Sequence, residues 1–157
     1  MTPYEKSLEV LEELFARDFW FVLATAQEGK PSQRVVDAYY HKGAFWIVTY
    51  GKSRKMAEIG QNPNVSLCHE FHIFQGRAYH AGHPLKAENK EIREELVRVF
   101  APWYFAHNDE RDENMCYVRV EPQTGFFHKD GTGYQVDFAA KTAHTIPFSP
   151  QVVAPQE

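Results

Sequence analysis

A small antiparallel β-barrel with peripheral α-helices is the fold class that the sequence predicts, on three observations. About seven short β-branched and aromatic segments follow one another, separated by brief turns rich in Gly and polar residues. Helical periodicity is confined to segments inserted singly, so the chain lacks the strand–helix alternation of βαβ units. Its 157 residues suffice for one domain with a real core and are too few for two. Closure removes exposed sheet edges, which makes a barrel the economical arrangement; a mixed α+β sandwich would also satisfy the pattern.

The first segment is helical. Tyr4, Leu8, Leu11 and Phe15 recur at i, i+4, i+7 and i+11, while Glu5, Glu9, Glu12 and Glu13 take the wet side. Residues 19–26 are apolar on both alternating faces and predict a strand covered on both sides. Residues 27–31 turn, with Gly29 free to take positive φ. Strands over 34–40 and 44–49 are joined by His41-Lys42-Gly43, a link short enough to make them antiparallel neighbours. Ser53 to Gly60 reads as a short helix with Ser53 as N-cap, Met56 and Ile59 inward, and Gly60 and Pro63 as stops. Residues 65–74 and 77–85 are expected to form a strand pair, and 88–104 a second long helix carrying Ile92, Leu96, Val99 and Trp103. Strands over 115–120, 125–128 and 134–138 close the fold, with Gly131 and Gly133 in the last turn. One domain is expected over residues 1–140, with a loose Pro- and Gln-rich tail over 141–157.

Composition excludes several function classes. A balance of 17 basic against 21 acidic residues argues against a dedicated nucleic-acid binder, which gains affinity from a broad basic face. Cys68 and Cys116 are too few for a disulfide scaffold and form no CxxC pair. The longest apolar run, residues 19–26, falls far short of the roughly 20 residues of a membrane span. The amino-terminal residues lead into an amphipathic helix rather than a secretory leader, so a cytoplasmic location is expected.

Chemistry concentrates in Thr49-Tyr50-Gly51-Lys52-Ser53-Arg54-Lys55. A strand ends, glycine turns, serine caps and a helix begins. Its first turn carries Arg54 and Lys55, where the positive end of the helix dipole favours acids. An anion on the helix start would reverse that penalty by bonding the free N–H groups, the Ser53 hydroxyl and both cations. Arg34 could converge from the neighbouring strand. The same residues also fit a solvated basic cluster, and the glycines match neither a P-loop nor a dinucleotide fingerprint.

The run Arg34-Val35-Val36, residues 45–49, Ser53-Arg54-Lys55 and residues 62–67 (NPNVSL), preceded by Leu23-Ala24-Thr25 and Gly29-Lys30-Pro31, resembles the pyridoxamine 5′-phosphate oxidase-like superfamily of FMN-binding split barrels. The likeness holds in order and spacing from about residue 10 to 85, and more loosely to 138. It implies a mainly β, antiparallel split β-barrel of six or seven strands, and a homodimer with FMN at its interface. On the same resemblance Arg34, Ser53, Arg54 and Lys55 would hold the FMN phosphate. Val35 and Val36 would offer backbone groups to the isoalloxazine, and Thr49 would line the ribityl chain or ring. Gln75 with Arg77, at the expected opening of a strand, would reach across the dimer. Trp103 and Tyr104 could cover the ring, although the helix's apolar stripe explains Trp103 better as core packing.

The likeness stops short of a true pyridoxamine phosphate oxidase. The chain lacks that enzyme's C-terminal Arg-x-His element, and Asp37 stands where a pyridoxal phosphate site would want a cation. It is closer to the small, general-stress-protein-like branch, which implies an FMN-dependent oxidoreductase of unspecified small-molecule substrate. A non-catalytic protein binding or storing flavin, deazaflavin or haem is the alternative, since some split-barrel relatives use a histidine to bind haem. His69, His72, His80 and His83 supply candidates, but one regular strand would point His69 and His72 to opposite faces. No metal site, no side chain acting as general acid or base, and no nucleophile elbow are expected.

Overall fold

The computed structural model describes residues 1–150. In chain order the elements are α1 (Pro3–Phe15), β1 (Phe19–Gln27), β2 (Lys30–His41), β3 (Ala44–Tyr50), α2 (Arg54–Gln61), β4 (Asn64–His69), β5 (His72–Gly82), α3 (Lys90–Val99), α4 (Tyr104–His107), β6 (Met115–Lys129), β7 (Thr132–Asp137) and β8 (Thr142–Pro147), with one 3-10 turn at Ala87–Asn89. Three hairpins turn on two residues of positive φ, Glu28-Gly29, Lys42-Gly43 and Asp130-Gly131. That backbone twist matches the twist of the flanking strands, which is why glycine follows a polar residue at each.

All eight strands form one sheet in the order β3-β2-β1-β4-β5-β6-β7-β8, and pairing of β3 with β6 closes the first six into a barrel. Inward positions alternate: Phe21, Leu23 and Thr25 on β1, and His72, Phe74, Gly76 and Ala78 on β5, are buried. The apolar stripe of α1 fills the same core, with Leu11 and Phe15 both 0% exposed. Phe15 meets Phe45, Phe74 and Phe127 edge-on at centroid separations of 5.8, 5.4 and 6.2 Å, the geometry that aromatic quadrupoles favour. A second layer lies outside the barrel, where Ile92, Leu96, Phe100 and Tyr104 cover Tyr39, Met115 and Tyr117.

Several sequence expectations are corrected. The turn placed near residues 75–76 lies at Glu70-Phe71, so Gln75 and Arg77 sit inside β5 instead of opening a strand. Gly76 is a packing glycine: a Cβ there would stand 2.3 Å from the Glu121 carbonyl oxygen, at a register shift against β6. The expected long helix over 88–104 stops at Val99, because Pro102 cannot continue it, and resumes as the single turn α4. The two strands expected over 115–120 and 125–128 are one bent strand, β6. Residues 142–147, expected in a loose tail, pair with β7 from Asp137↔Thr142 to Thr132↔Pro147, sparing β7 an open edge. Residues 151–157 of that tail lie outside the described residues. No described helix is long and apolar enough to cross a membrane.

Candidate functional site

The junction of β3 and α2 is built by a close approach. A Cβ on Gly51 would lie 2.9 Å from the Asn114 carbonyl oxygen, so only glycine lets the chain pass there. Ser53 follows with the extended backbone of an N-cap, φ −70° and ψ 161°, yet its side chain makes no capping bond. Its Oγ is buried and has no hydrogen-bond partner. The ordinary reason for serine at this position is therefore unused, and a buried hydroxyl waits for one.

Lys55 turns back along β3, donating from Nζ to Thr49 Oγ1 at 2.6 Å. It has no carboxylate partner among the described residues. Burial, and then the like charge of Arg34, push its pKa below the usual lysine range. Arg34, opposite Leu23 in the β1–β2 register, donates to the Leu23 carbonyl at 3.2 Å and to Thr25 Oγ1 at 2.8 Å. Its other nitrogen lies 3.4 Å from Glu58 Oε2.

Glu58 is the residue that sequence reasoning missed. It sits on α2, 2% exposed, accepts the Thr25 hydroxyl, and takes Arg54 Nε at 2.7 Å one helical turn away. The Thr25 bond, followed by the Arg54 bond, holds its carboxyl below the usual range against the opposing effect of burial. The available signal was its i+4 spacing from Arg54. Glu58 also changes the charge reasoning: part of the penalty for cations in the first turn of α2 is already offset within the fold. Arg34, Arg54 and Lys55 against one carboxylate still leave two positive charges uncompensated.

Of these groups Arg34 and Lys55 border a cavity of about 530 Å³, lined also by Val35, Val36, Asp37, Val48, Trp103, His107 and Asn108. The cavity exists because β2 pairs with β3 only over Tyr39–His41. Residues 34–37 are thereby left with a β3-facing backbone edge outside the ladder, and such unpaired groups seek partners. Trp103 stacks on Phe100 at 4.5 Å and donates from Nε1 to Asp18 at 2.9 Å, so it packs against the helical layer and lines the cavity as well. Asp37 has its pKa raised to about 6, by burial first and then by the Asp18 carboxyl beside it. Val48, His107 and Asn108 carried no pattern that could have placed them here.

Of the residues singled out in the sequence, Arg34, Val35, Val36 and Lys55 line one cavity. Thr49 accepts from Lys55 and Ser53 stands at the N-cap position of α2, and neither lines the cavity itself. Arg54 does not join them: its side chain is 83% exposed and engages Glu58 and Ser32. Gln75 lies on the outer face of β5, bordering other concavities with Ser66 and with Thr124. His69 and His72 face each other across the β4–β5 turn instead of alternating along one strand. His72 stacks on His128 at 4.5 Å, and its pKa falls to about 4, by burial first and then by its histidine neighbours. Among the described residues, no three His, Cys, Asp or Glu side chains could hold a metal ion.

Residues 8–129 match the family model described as pyridoxamine 5′-phosphate oxidase. No sequence match was found among curated proteins. The fold is similar to that of a pyridoxamine 5′-phosphate oxidase-related, FMN-binding protein from Nostoc punctiforme, with a TM-score of 0.57 and 13% identity over 96% of this chain and 98% of that one. General stress protein 26 from Bacillus anthracis gives 0.55 and 20% identity, over 80% of this chain and 93% of that one. The haem storage protein HutZ from Vibrio cholerae gives 0.60 and 14%, over 81% of this chain and 94% of that one.

Proposed function

The chain belongs to the pyridoxamine 5′-phosphate oxidase family, and we propose that it binds FMN in the cavity between β2 and the start of α2. The observation that carries this reading is the partnerless Ser53 hydroxyl beside a half-buried Lys55 that has no carboxylate partner. A phosphate supplies the acceptor that one lacks and the negative charge that the other lacks. Arg34 and Lys55 hold the phosphate with Ser53, and Arg54 contributes to the field from the surface. The free β2 edge at Val35 and Val36 offers backbone groups to the ring system, and Trp103 bounds the cavity on the opposite side. Thr49 orients Lys55.

When bound, the flavin supplies hydride exchange at N5, and the protein's part is anchoring, orientation and exclusion of water. The reaction we propose is flavin-dependent oxidation or reduction of a small molecule other than pyridoxamine phosphate, because Asp37 lines the cavity where a second phosphate would favour a cation. We further propose a homodimer. The β pairings align Val35, Val22, Cys68, Ile73 and Phe126 into one row across the outer face of five strands. Val35 is 67% exposed and Ile73 45%, and a contiguous outward apolar row continuous with the cavity is suited to a second copy.

An absorption spectrum of the protein as purified, before and after dithionite, tests the reading together with its size in solution. Flavin bands that bleach, on a dimer, are the expected result. A deazaflavin or haem spectrum would replace FMN with that cofactor, and a colourless monomer that takes up no added FMN would overturn the proposal.

A further inference from the structure

A second cavity, of about 400 Å³, opens where the start of α3 faces the barrel. It shares no lining residue with the candidate flavin cavity, so its chemistry is independent of that site. One sheet face builds its floor. Trp46 on β3 stands directly opposite Arg119 on β6, and His41 on β2 is diagonal to Trp46 through the Tyr39↔Trp46 pair. Glu88, Glu91 and Ile92 roof it, and Lys42 and Glu121 border it.

Five buried side-chain polar atoms of the described residues lack a hydrogen-bond partner, and three belong to residues lining this cavity: Trp46 Nε1, Arg119 Nε and His41 Nε2, the last with only an ion-pair approach of 3.5 Å to Glu91. Their placement is not a by-product of loose side chains. Arg119 is held through its terminal nitrogen by Glu121 at 3.0 Å and lies over the Tyr79 ring at 5.1 Å, and its Nε is buried with no partner of its own. His41 stacks on Tyr39 at 5.7 Å. The indole N–H and the guanidinium Nε–H can only donate, so whatever satisfies them must bring acceptor atoms.

Charge narrows the ligand. Lys42 and Arg119 stand against Glu88, Glu91 and Glu121, a net of one negative charge that opposes a bare anion. Glu91 is engaged by Lys42 and His41, and Glu121 by Arg119. Glu88 forms no ion pair among the described residues. The site thus presents a pair of donors at its floor and one unmatched carboxylate at its rim. We propose that this cavity is a second ligand site and takes a small zwitterion of amino-acid type, its carboxylate on Trp46 and Arg119 and its ammonium toward Glu88.

Nuclear magnetic resonance of the ¹⁵N-labelled full-length protein tests this directly, because each of the three tryptophans gives one indole N–H signal and Trp46→Phe identifies the relevant one. The probes are β-alanine, acetate and ethylammonium. The expected result is a saturable shift of the Trp46 indole signal with β-alanine, a weaker response to acetate, and none to ethylammonium. Arg119→Lys, which keeps the charge but loses Nε, should weaken β-alanine binding by about tenfold or more. Glu88→Gln should reduce β-alanine to the level of acetate. Absence of any saturable shift in the unmodified protein would mean that the donors hold only water and would overturn the proposal. So would a shift left unchanged by both substitutions.

Discussion

Replacing Lys55 by methionine keeps the apolar stem of the side chain and removes its ammonium. In the free protein that ammonium is half-buried, faces Arg34 and has one neutral acceptor, Thr49 Oγ1 at 2.6 Å. The fold gains little from the charge, as its lowered pKa shows: burial and then Arg34 both disfavour the protonated form. Removing it relieves repulsion at Arg34 and leaves one hydroxyl without its donor. These effects oppose each other, and unfolding stability should change by no more than about 1 kcal/mol. Ligand binding should respond differently. A charge-assisted hydrogen bond to phosphate contributes about 1.5–3 kcal/mol, so FMN affinity measured by flavin fluorescence quenching should fall by roughly 10- to 150-fold. Arg54→Met provides the contrast. Its guanidinium is solvated and already opposed by Glu58, and exposed ion pairs contribute about 0–1 kcal/mol, so the loss should stay within about fivefold. FMN binding in Lys55→Met within threefold of the unmodified protein would refute the role given to the cluster.

Three further outcomes rest on individual groups. Ser53→Ala should weaken FMN binding while leaving the melting temperature unchanged, because the hydroxyl caps nothing; a drop of several degrees would show that it caps the helix after all. Asp37→Asn should raise the melting temperature above pH 7. The Asp37 pKa is raised to about 6, so its folded-state penalty is present above that value and relieved as pH falls through it. A gap between variant and unmodified protein that does not close from pH 7 to pH 4 would contradict this. Glu58→Gln should destabilise at neutral pH, with the difference fading in acid. The Glu58 carboxyl is held below its ordinary range, so its contribution is complete above the unfolded value and lost as pH falls through the folded one. A difference that persists undiminished in acid would assign it to shape instead of charge.

The barrel was legible in the sequence because its signals are local. The apolar run of residues 19–26, the His41-Lys42-Gly43 turn and the Leu11–Phe15 stripe each specify an element without reference to the rest of the chain. What escaped depends on partners distant in sequence. Residues 142–147 look polar and loose until β7 supplies a ladder, and Gly76 resembles a turn until Glu121 is seen lying against it. The site divides the same way. Arg34, Ser53 and Lys55 were readable from the clash between cations and a helix dipole. Glu58 was not, because its burial depends on Thr25 and Arg34, 33 and 24 residues away. Trp103 combines both cases: its stripe position predicted packing, and only the break at Pro102 turns it to the cavity as well.

Recognition of a phosphate by the start of α2 with Arg34 is tested most directly by comparing FMN with riboflavin on the unmodified protein. The two ligands share the ring and ribityl chain and differ in the phosphoryl group alone. With at least two charge-assisted contacts at about 1.5–3 kcal/mol each, FMN should bind 100-fold or more tightly than riboflavin. That advantage should shrink as salt is raised. Equal affinities, insensitive to salt, would contradict it.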